Sequence, residues 1–236
     1  MSAANTTKWI GIGLLGLPLY GVLTFLSSLD PQPDPNTNYE AWAQYVSTNY
    51  WVLKHLFASI LGMILALFGT FALGAYLARS RAGSLGLAAM VITVFGYALF
   101  LTIGGVSAFA SPGEGQAYLA GVEGFAEIAS SGFAVTMQTL TILLSSVLLL
   151  VGNVLLGVAV WRSGTLPRWA GALWAVAPVL MLLLGQVVAL FITGSTPPTV
   201  LVGALLIVIS GAWMARSVLR RPSAEAAGVQ AQPRVQ

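Results

Sequence analysis

Residues Phe133–Trp161 read FAVTMQTLTILLSSVLLLVGNVLLGVAVW and contain no Asp, Glu, Lys or Arg. An α-helix needs about 20 apolar residues to cross the hydrocarbon core of a bilayer, and this run is longer than that. A membrane β-strand would instead alternate apolar and polar side chains over about 10 positions, which the run does not do. The stretch therefore predicts a transmembrane helix.

Five more stretches of this kind predict an all-α fold, a polytopic bundle of six transmembrane helices. We place the spans at residues 9–29, 50–78, 85–110, 133–161, 168–193 and 200–215. With outer segments at 30–49 and 111–132, they make one membrane domain over residues 1–221. The first span exceeds the roughly 7–15 apolar residues of a signal peptide, so we expect it to be retained. The tail, 222–236, is rich in Ala, Gln and Pro, a composition typical of disorder.

The overall composition excludes several classes of protein. The 236 residues are 57% hydrophobic and 7% charged. A soluble domain carries roughly 25% charged residues, which it needs to cover its surface. Cysteine is absent and histidine occurs once, which disfavours haem held by two histidines, iron–sulfur clusters and Cys/His zinc sites. The sequence indicates no other cofactor.

The charged residues are sorted between the two ends of the predicted spans. One end has nine of the ten basic residues: Lys8, Arg79, Arg81, Arg162, Arg168, Arg216, Arg220, Arg221 and Arg234. The other has six of the seven acidic residues: Asp30, Asp34, Glu40, Glu114, Glu123 and Glu127. Since basic flanks stay in the cytoplasm, the sequence predicts both termini on that side of a bacterial cytoplasmic membrane.

The basic residues are thus interpreted as a topology signal and not as a nucleic-acid surface. The expected partners are membrane lipids, with other membrane subunits or a lipophilic ligand as further candidates.

The even-numbered spans share a Gly-x4-Arg-Ser pattern at their basic ends. It comprises Gly74 with Arg79, Gly157 with Arg162, and Gly211 with Arg216. Arginine reaches the headgroups from such a position, while glycine lets a neighbouring helix approach. A duplicated helical hairpin and the general rules of membrane insertion both account for the pattern.

Pro18 and Pro178 lie inside the first and fifth spans. Proline removes a backbone hydrogen bond, so each span is predicted to bend there. Such a bend either shapes a cavity or is absorbed by the neighbouring helices.

The predicted spans contain no ionisable side chain near their centres, which argues against ion-coupled transport. The most interior polar groups include the amides of Gln138, Asn153 and Gln186. Amides in lipid pair across helices, which favours a packing role. If Asn153 and Gln186 meet in the bundle, they line a small polar niche for a neutral or lipophilic ligand.

His55, at the outer end of the second span, is the one side chain expected to titrate near neutral pH. Glu123 and Glu127 lie one helical step apart in the second outer segment. If Glu114, Glu123 or Glu127 of that segment folds over His55, a proton or metal site results. A histidine whose hydrogen bonds are satisfied at the membrane interface is the competing interpretation.

Both outer segments are predicted to contain a short helix. The first begins at about Tyr39 and precedes aromatic residues suited to the headgroup level. In the second, Tyr118, Val122 and Phe125 follow the spacing of an amphipathic helix that lies on the membrane surface.

The stretch WRSGTLPRWAG at residues 161–171, with a histidine opening the second span, resembles several families of uncharacterised bacterial multi-spanning membrane proteins. The likeness covers mainly the hairpin of the fourth and fifth spans. It implies a membrane helix bundle and carries no catalytic residues over to this chain.

These features favour an integral membrane protein without evident catalytic chemistry. It would bind a lipophilic molecule or serve as an accessory subunit of a membrane assembly. The alternative is a transporter or channel for a small neutral solute, favoured by the predicted bends and the repeated pattern. A membrane enzyme acting at the outer surface is the third hypothesis.

Overall fold

The structure is a computed structural model that describes residues 3–122, 131–189, 191 and 196–220. Over these ranges it is built of helices and contains no strand. Six helical stretches in it are long and apolar enough to cross a membrane: Asn5–Ser27, Asn49–Leu77, Gly83–Leu119, Phe133–Arg162, Arg168–Ala189 and Pro198–Leu219. The predicted all-α bundle of six spans is confirmed. Residues 222–236, predicted to form a disordered tail, lie outside the described part of the chain.

We number these stretches spans 1 to 6 in chain order. The α-helices are α1 (Ala3–Leu14), α2 (Gly16–Ser27), α3 (Tyr39–Val46), α4 (Asn49–Lys54), α5 (Gly62–Leu77), α6 (Gly83–Phe109), α7 (Ser111–Leu119), α8 (Phe133–Arg162), α9 (Arg168–Pro178), α10 (Gly185–Ala189) and α11 (Pro198–Leu219). Two π-helical segments interrupt spans 2 and 5, namely π1 (His55–Leu61) and π2 (Val179–Leu184).

The six spans form a closed ring. Each span packs against the next one along the chain, and span 6 returns to pack against span 1. The connections 78–82 and 163–167 are short, so spans 2 and 3, and spans 4 and 5, are antiparallel neighbours. Arg79, Arg162 and Arg216 therefore lie at one end of the ring, which we call the basic end. Asp30 and Glu114 lie at the other, the acidic end.

The three glycines of the Gly-x4-Arg-Ser pattern make equivalent contacts. A Cβ atom on Gly157 would lie 2.6 Å from the carbonyl oxygen of Gly171, and one on Gly211 would lie 2.9 Å from Cδ of Pro18. In each case the glycine faces the next span around the ring: Gly74 against Met90, Gly157 against Gly171, and Gly211 against Pro18. Because these positions lack a side chain, the helices approach closely. Their arginine partners are exposed.

Both interior prolines coincide with a change in helix geometry. The helix of span 1 is interrupted at Leu15, between α1 and α2 and within one turn of Pro18. Span 5 changes from α-helix to π-helix directly after Pro178. A proline ring clashes with the carbonyl one turn earlier, which explains the interruption at Leu15. The π-helix of span 5 instead follows its proline, on the side that this clash does not reach. The π-helix at His55–Leu61 contains no proline and has no counterpart in the sequence analysis.

The buried side chains form two clusters. The larger fills the ring toward the basic end and includes Leu14, Leu73, Leu77, Leu156, Trp174 and Met214. The smaller consists of Met63, Ala66, Tyr97 and Leu149, nearer the middle of the ring. Packing is therefore most continuous toward the basic end.

The outer segment between spans 1 and 2 contains the predicted short helix. It begins at Tyr39 and is capped by Asn38, whose side chain accepts the N–H of Ala41 at 3.0 Å. This helix packs on α7, where the rings of Tyr39 and Tyr118 lie 4.6 Å apart. In the second segment the prediction of one helix through Tyr118 and Val122 is wrong, because α7 ends at Leu119 and Gly121 has a positive φ of 71°. Phe125 falls outside the described residues.

Candidate functional site

A cavity of 210 Å³ lies inside the ring and receives side chains from all six spans. It runs from Ser27, near the acidic end, to Asn153 and Trp174, past the middle of their spans. The remaining lining residues are Tyr20, Thr24, Ala58, Ser59, Met63, Tyr97, Phe100, Leu149, Pro178, Met181, Leu182 and Ile207. None of these side chains carries a charge.

Both π-helices contribute side chains to the lining of the cavity. Ala58 and Ser59 come from π1, while Met181 and Leu182 come from π2. A π-helical turn is wider than an α-helical turn and is frequent at functional sites. Toward the basic end, Trp174 and Ile207 belong to the larger cluster and close the cavity. The cavity therefore does not extend to the basic end of the ring.

A row of polar side chains follows one side of the cavity. The rings of Tyr20 and Tyr97 meet edge to face with their centroids 5.7 Å apart. The Tyr20 hydroxyl also faces Thr24, and the Tyr97 hydroxyl faces Asn153. Polar groups in an apolar interior need such partners, because lipid supplies none.

Two polar atoms of the lining are buried without a hydrogen-bond partner, Oδ1 of Asn153 and Nε1 of Trp174. Asn153 is 6% exposed and Trp174 is 1% exposed. The other amide atom of Asn153, Nδ2, donates a hydrogen bond of 2.9 Å to the carbonyl of Leu149. That bond fixes the orientation of the amide, because a flipped amide would set two oxygens against each other. Two residues of the cavity lining thus each hold a buried polar atom, one acceptor and one donor, that the protein itself does not satisfy.

The structure does not bring the three predicted amides together. Asn153 lines the cavity, whereas Gln186 is exposed on span 5 and Gln138 is half-buried near the start of span 4. Gln186 follows the π2 segment, so its direction around the helix differs from that of a continuous α-helix. The niche expected from Asn153 and Gln186 is formed instead by Asn153 with Trp174 and Tyr97.

The sequence analysis missed these two aromatic residues. Tyr97 and Trp174 lie inside their spans, whereas Trp and Tyr of membrane helices concentrate at the two interfaces. That departure from the usual distribution was the available signal.

At the acidic end, a cluster of Asp30, Tyr45 and Lys54 joins the outer segment to span 2. The Lys54 ammonium lies 3.2 Å from the Asp30 carboxylate and 3.1 Å from the Tyr45 hydroxyl, which also donates to Asp30. The Lys54 side chain is only 6% exposed. Burial acts to raise the pKa of Asp30, but the hydrogen bonds from Tyr45 and Lys54 outweigh it and lower that pKa. Burial and the Asp30 charge raise the pKa of Tyr45, which keeps it a neutral donor.

His55 is held by its neighbour Trp51. The His55 Nδ1 lies 3.0 Å from the Trp51 carbonyl oxygen, and the two rings stack at 3.9 Å. Trp51 in turn donates its indole N–H to the carbonyl of Ser107 at 2.7 Å, which ties span 2 to span 3. Two of the three proposed partners of His55, Glu123 and Glu127, lie outside the described residues, and the third, Glu114, lies in α7. Among the residues that are described, no three His, Asp or Glu side chains form a metal-binding group.

The fold and the cavity together define a class, the polytopic helical membrane proteins with an internal cavity. No protein-family model, curated protein or solved structure matches the chain. The resemblance of the 161–171 hairpin to bacterial membrane protein families therefore stays a prediction.

Proposed function

We propose that this protein binds a small, uncharged and mainly apolar molecule in the cavity at the centre of the ring. The observation that carries the proposal is a 210 Å³ cavity lined by all six spans without a charged side chain. Apolar cavities of about 150 Å³ accept benzene, so this one has room for a substituted ring or a short branched chain.

The lining supports a neutral ligand over an ion. Moving a charge into an apolar interior is costly unless an opposite charge pairs with it, and the cavity lining offers none. Aromatic and methionine side chains instead provide polarisable apolar surface. Lipid-soluble molecules also reach such a site directly from the bilayer.

Binding is tested with a fluorinated ethylbenzene, followed by fluorine NMR on the purified protein in micelles. We expect saturable binding that weakens at least about tenfold in Ala58→Leu, which places three more carbons in the wall. Leu61→Phe adds the same number of carbons to the same π-helix at an exposed position, and it should bind as the wild type does. Binding that is absent in the wild type, or equal in both variants, would overturn the proposal.

A second candidate function is passage of a small neutral solute through the ring. It is favoured by the depth of the cavity, which reaches Asn153, and by the two π-helices in its walls. Passage requires the larger cluster to open, because Trp174 and Ile207 close the cavity toward the basic end. Proteoliposomes should then release glycerol or a small alcohol faster than protein-free vesicles, with Ala58→Leu slowing release. Equal rates with and without protein would exclude this function.

We place the protein in a bacterial cytoplasmic membrane with the basic end and both termini in the cytoplasm, on the basis of its exposed arginines. Reporters fused to the C-terminus, each active on one side of the membrane only, test this orientation, and a periplasmic signal would contradict it. Native mass spectrometry after gentle solubilisation tests the proposed partners. It distinguishes a retained small molecule or lipid from an accompanying membrane subunit.

A further inference from the structure

We infer that the ligand of the cavity carries one hydrogen-bond acceptor, which receives the indole N–H of Trp174, and one donor, which reaches Oδ1 of Asn153. This inference rests on the proposed function and names the chemical class: a small apolar molecule, such as one aromatic ring, that bears both a carbonyl and a hydroxyl group. The lining side chains of Asn153 and Trp174 are the evidence for it.

A buried donor or acceptor without a partner is costly, about 1–3 kcal/mol for each group. Native proteins leave few of them, and each one calls for a physical explanation. Here one donor and one acceptor occur in the lining of the same cavity, and neither satisfies the other. A ligand that supplies the complementary pair removes both costs at once.

The orientation of the Asn153 amide leaves its oxygen to accept a hydrogen bond from a donor on the ligand. Its Nδ2 is engaged by the Leu149 carbonyl, so Oδ1 is the atom left for a partner. Trp174 offers only an N–H and therefore requires an acceptor. The two groups together distinguish a hydroxy-carbonyl compound from a hydrocarbon of the same size.

Both atoms are covered in the structure, with less than 1 Å² of exposed surface each. A ligand reaches them once a flexible wall side chain moves. Met63 and Met181 line the cavity, and methionine is unbranched and changes rotamer readily. The polar contacts would then form last, after the apolar part of the ligand has entered.

The test compares four probes of similar size: ethylbenzene, acetophenone, para-ethylphenol and para-hydroxyacetophenone. After correction for partition into the micelle, we expect the carbonyl and the hydroxyl each to tighten binding by about tenfold. Trp174→Phe should abolish the gain from the carbonyl and keep the gain from the hydroxyl. Asn153→Leu should do the reverse.

Thr70→Val is the matched control, because the Thr70 hydroxyl is also buried without a partner but does not line the cavity. It should leave the order of the four probes unchanged. If Trp174→Phe does not fold, Asn153→Leu alone decides, since it must lose the hydroxyl gain.

The outcomes separate the two proposals. If ethylbenzene itself does not bind, the proposed function fails. If ethylbenzene binds and all four probes bind equally, the cavity is a site for hydrocarbons and the inference is overturned.

Discussion

The two halves of the ring are both built from apolar sequence but pack differently. Toward the basic end, leucines and glycines give a continuous core in which backbones meet, as at Gly157 and Gly171. Toward the acidic end, two spans change to π-helix, the buried cluster is small, and a cavity remains. The comparison shows that in a membrane bundle hydrophobicity alone does not produce a filled interior. Side-chain size and helix geometry decide whether the space closes.

The largest effect is expected from truncating a leucine in the half of the ring toward the basic end, which we call the filled half. Leu156→Ala should lower the free energy of unfolding by about 3 kcal/mol, because a fully buried side chain leaves an empty space. Leu149→Ala, two turns away on the same helix, should cost about 1 kcal/mol less, since Leu149 already borders the cavity. Equilibrium unfolding in mixed micelles measures both. Equal losses would mean that the two halves are packed alike.

The next effect concerns the cluster of Asp30, Tyr45 and Lys54. It joins the first outer segment to the half of the ring toward the acidic end, which we call the hollow half. Asp30→Asn should cost about 2 kcal/mol, because it leaves the buried Lys54 ammonium without its counter-charge. The double variant Asp30→Asn/Lys54→Met should recover part of that loss. A double-mutant cycle with no coupling would show that the pair contributes nothing.

The same pair predicts a dependence on pH. The pKa of Asp30 is lowered in the folded protein, so its stabilising contribution is present above its ordinary pKa of 3.8. It is lost as the pH falls below that value through the folded pKa. Thermal unfolding of the wild type should therefore become easier below about pH 4. Asp30→Asn should lack this component of the decline.

A smaller effect should follow from adding one methyl group at a close helix contact. Gly157→Ala should cost about 1–2 kcal/mol, because its Cβ would meet the backbone carbonyl of Gly171, which cannot rotate away. Gly105→Ala is the matched control in span 3, where a Cβ would find no atom within 4 Å. The control should be neutral or slightly stabilising. A tolerated Gly157→Ala would refute tight backbone packing in the filled half.

The smallest effect should come from filling the hollow half. Ala58→Leu should stabilise the protein by about 0.5 kcal/mol, since it adds contacts where the cavity leaves space. Leu61→Phe, on the exposed face of the same π-helix, should change the free energy of unfolding by less than that. A strongly destabilised Ala58→Leu would indicate that the wall is already close-packed.

Much of the architecture followed from local sequence. The observed spans begin and end within a few residues of most of the predicted bounds, because charged and polar residues interrupt the apolar runs. Pro18 and Pro178 also indicated where the helices change. The short helix predicted to begin at about Tyr39 begins there.

Less of the candidate site could be predicted from the sequence. Asn153 was identified as an interior amide, but its neighbours in the cavity were not. Gln186, the hypothesised partner of Asn153, is exposed instead. It follows a π-helical segment whose start Pro178 marked but whose π geometry was not predicted. Lys54, the remaining one of the ten basic residues, lies at the acidic end, and its pairing with Asp30, 24 positions earlier, was not predicted.

The sequence by itself determined that this chain forms six membrane helices whose charges are sorted between two ends. Those properties depend on the hydrophobicity and charge of each segment, which decide whether it lies inside the bilayer or outside it. Only the tertiary structure decided that the ring encloses a cavity and that Asn153 and Trp174 share its wall. The direction of a side chain in a bundle depends on helix rotation and on π-helical turns, and both are set by packing between spans.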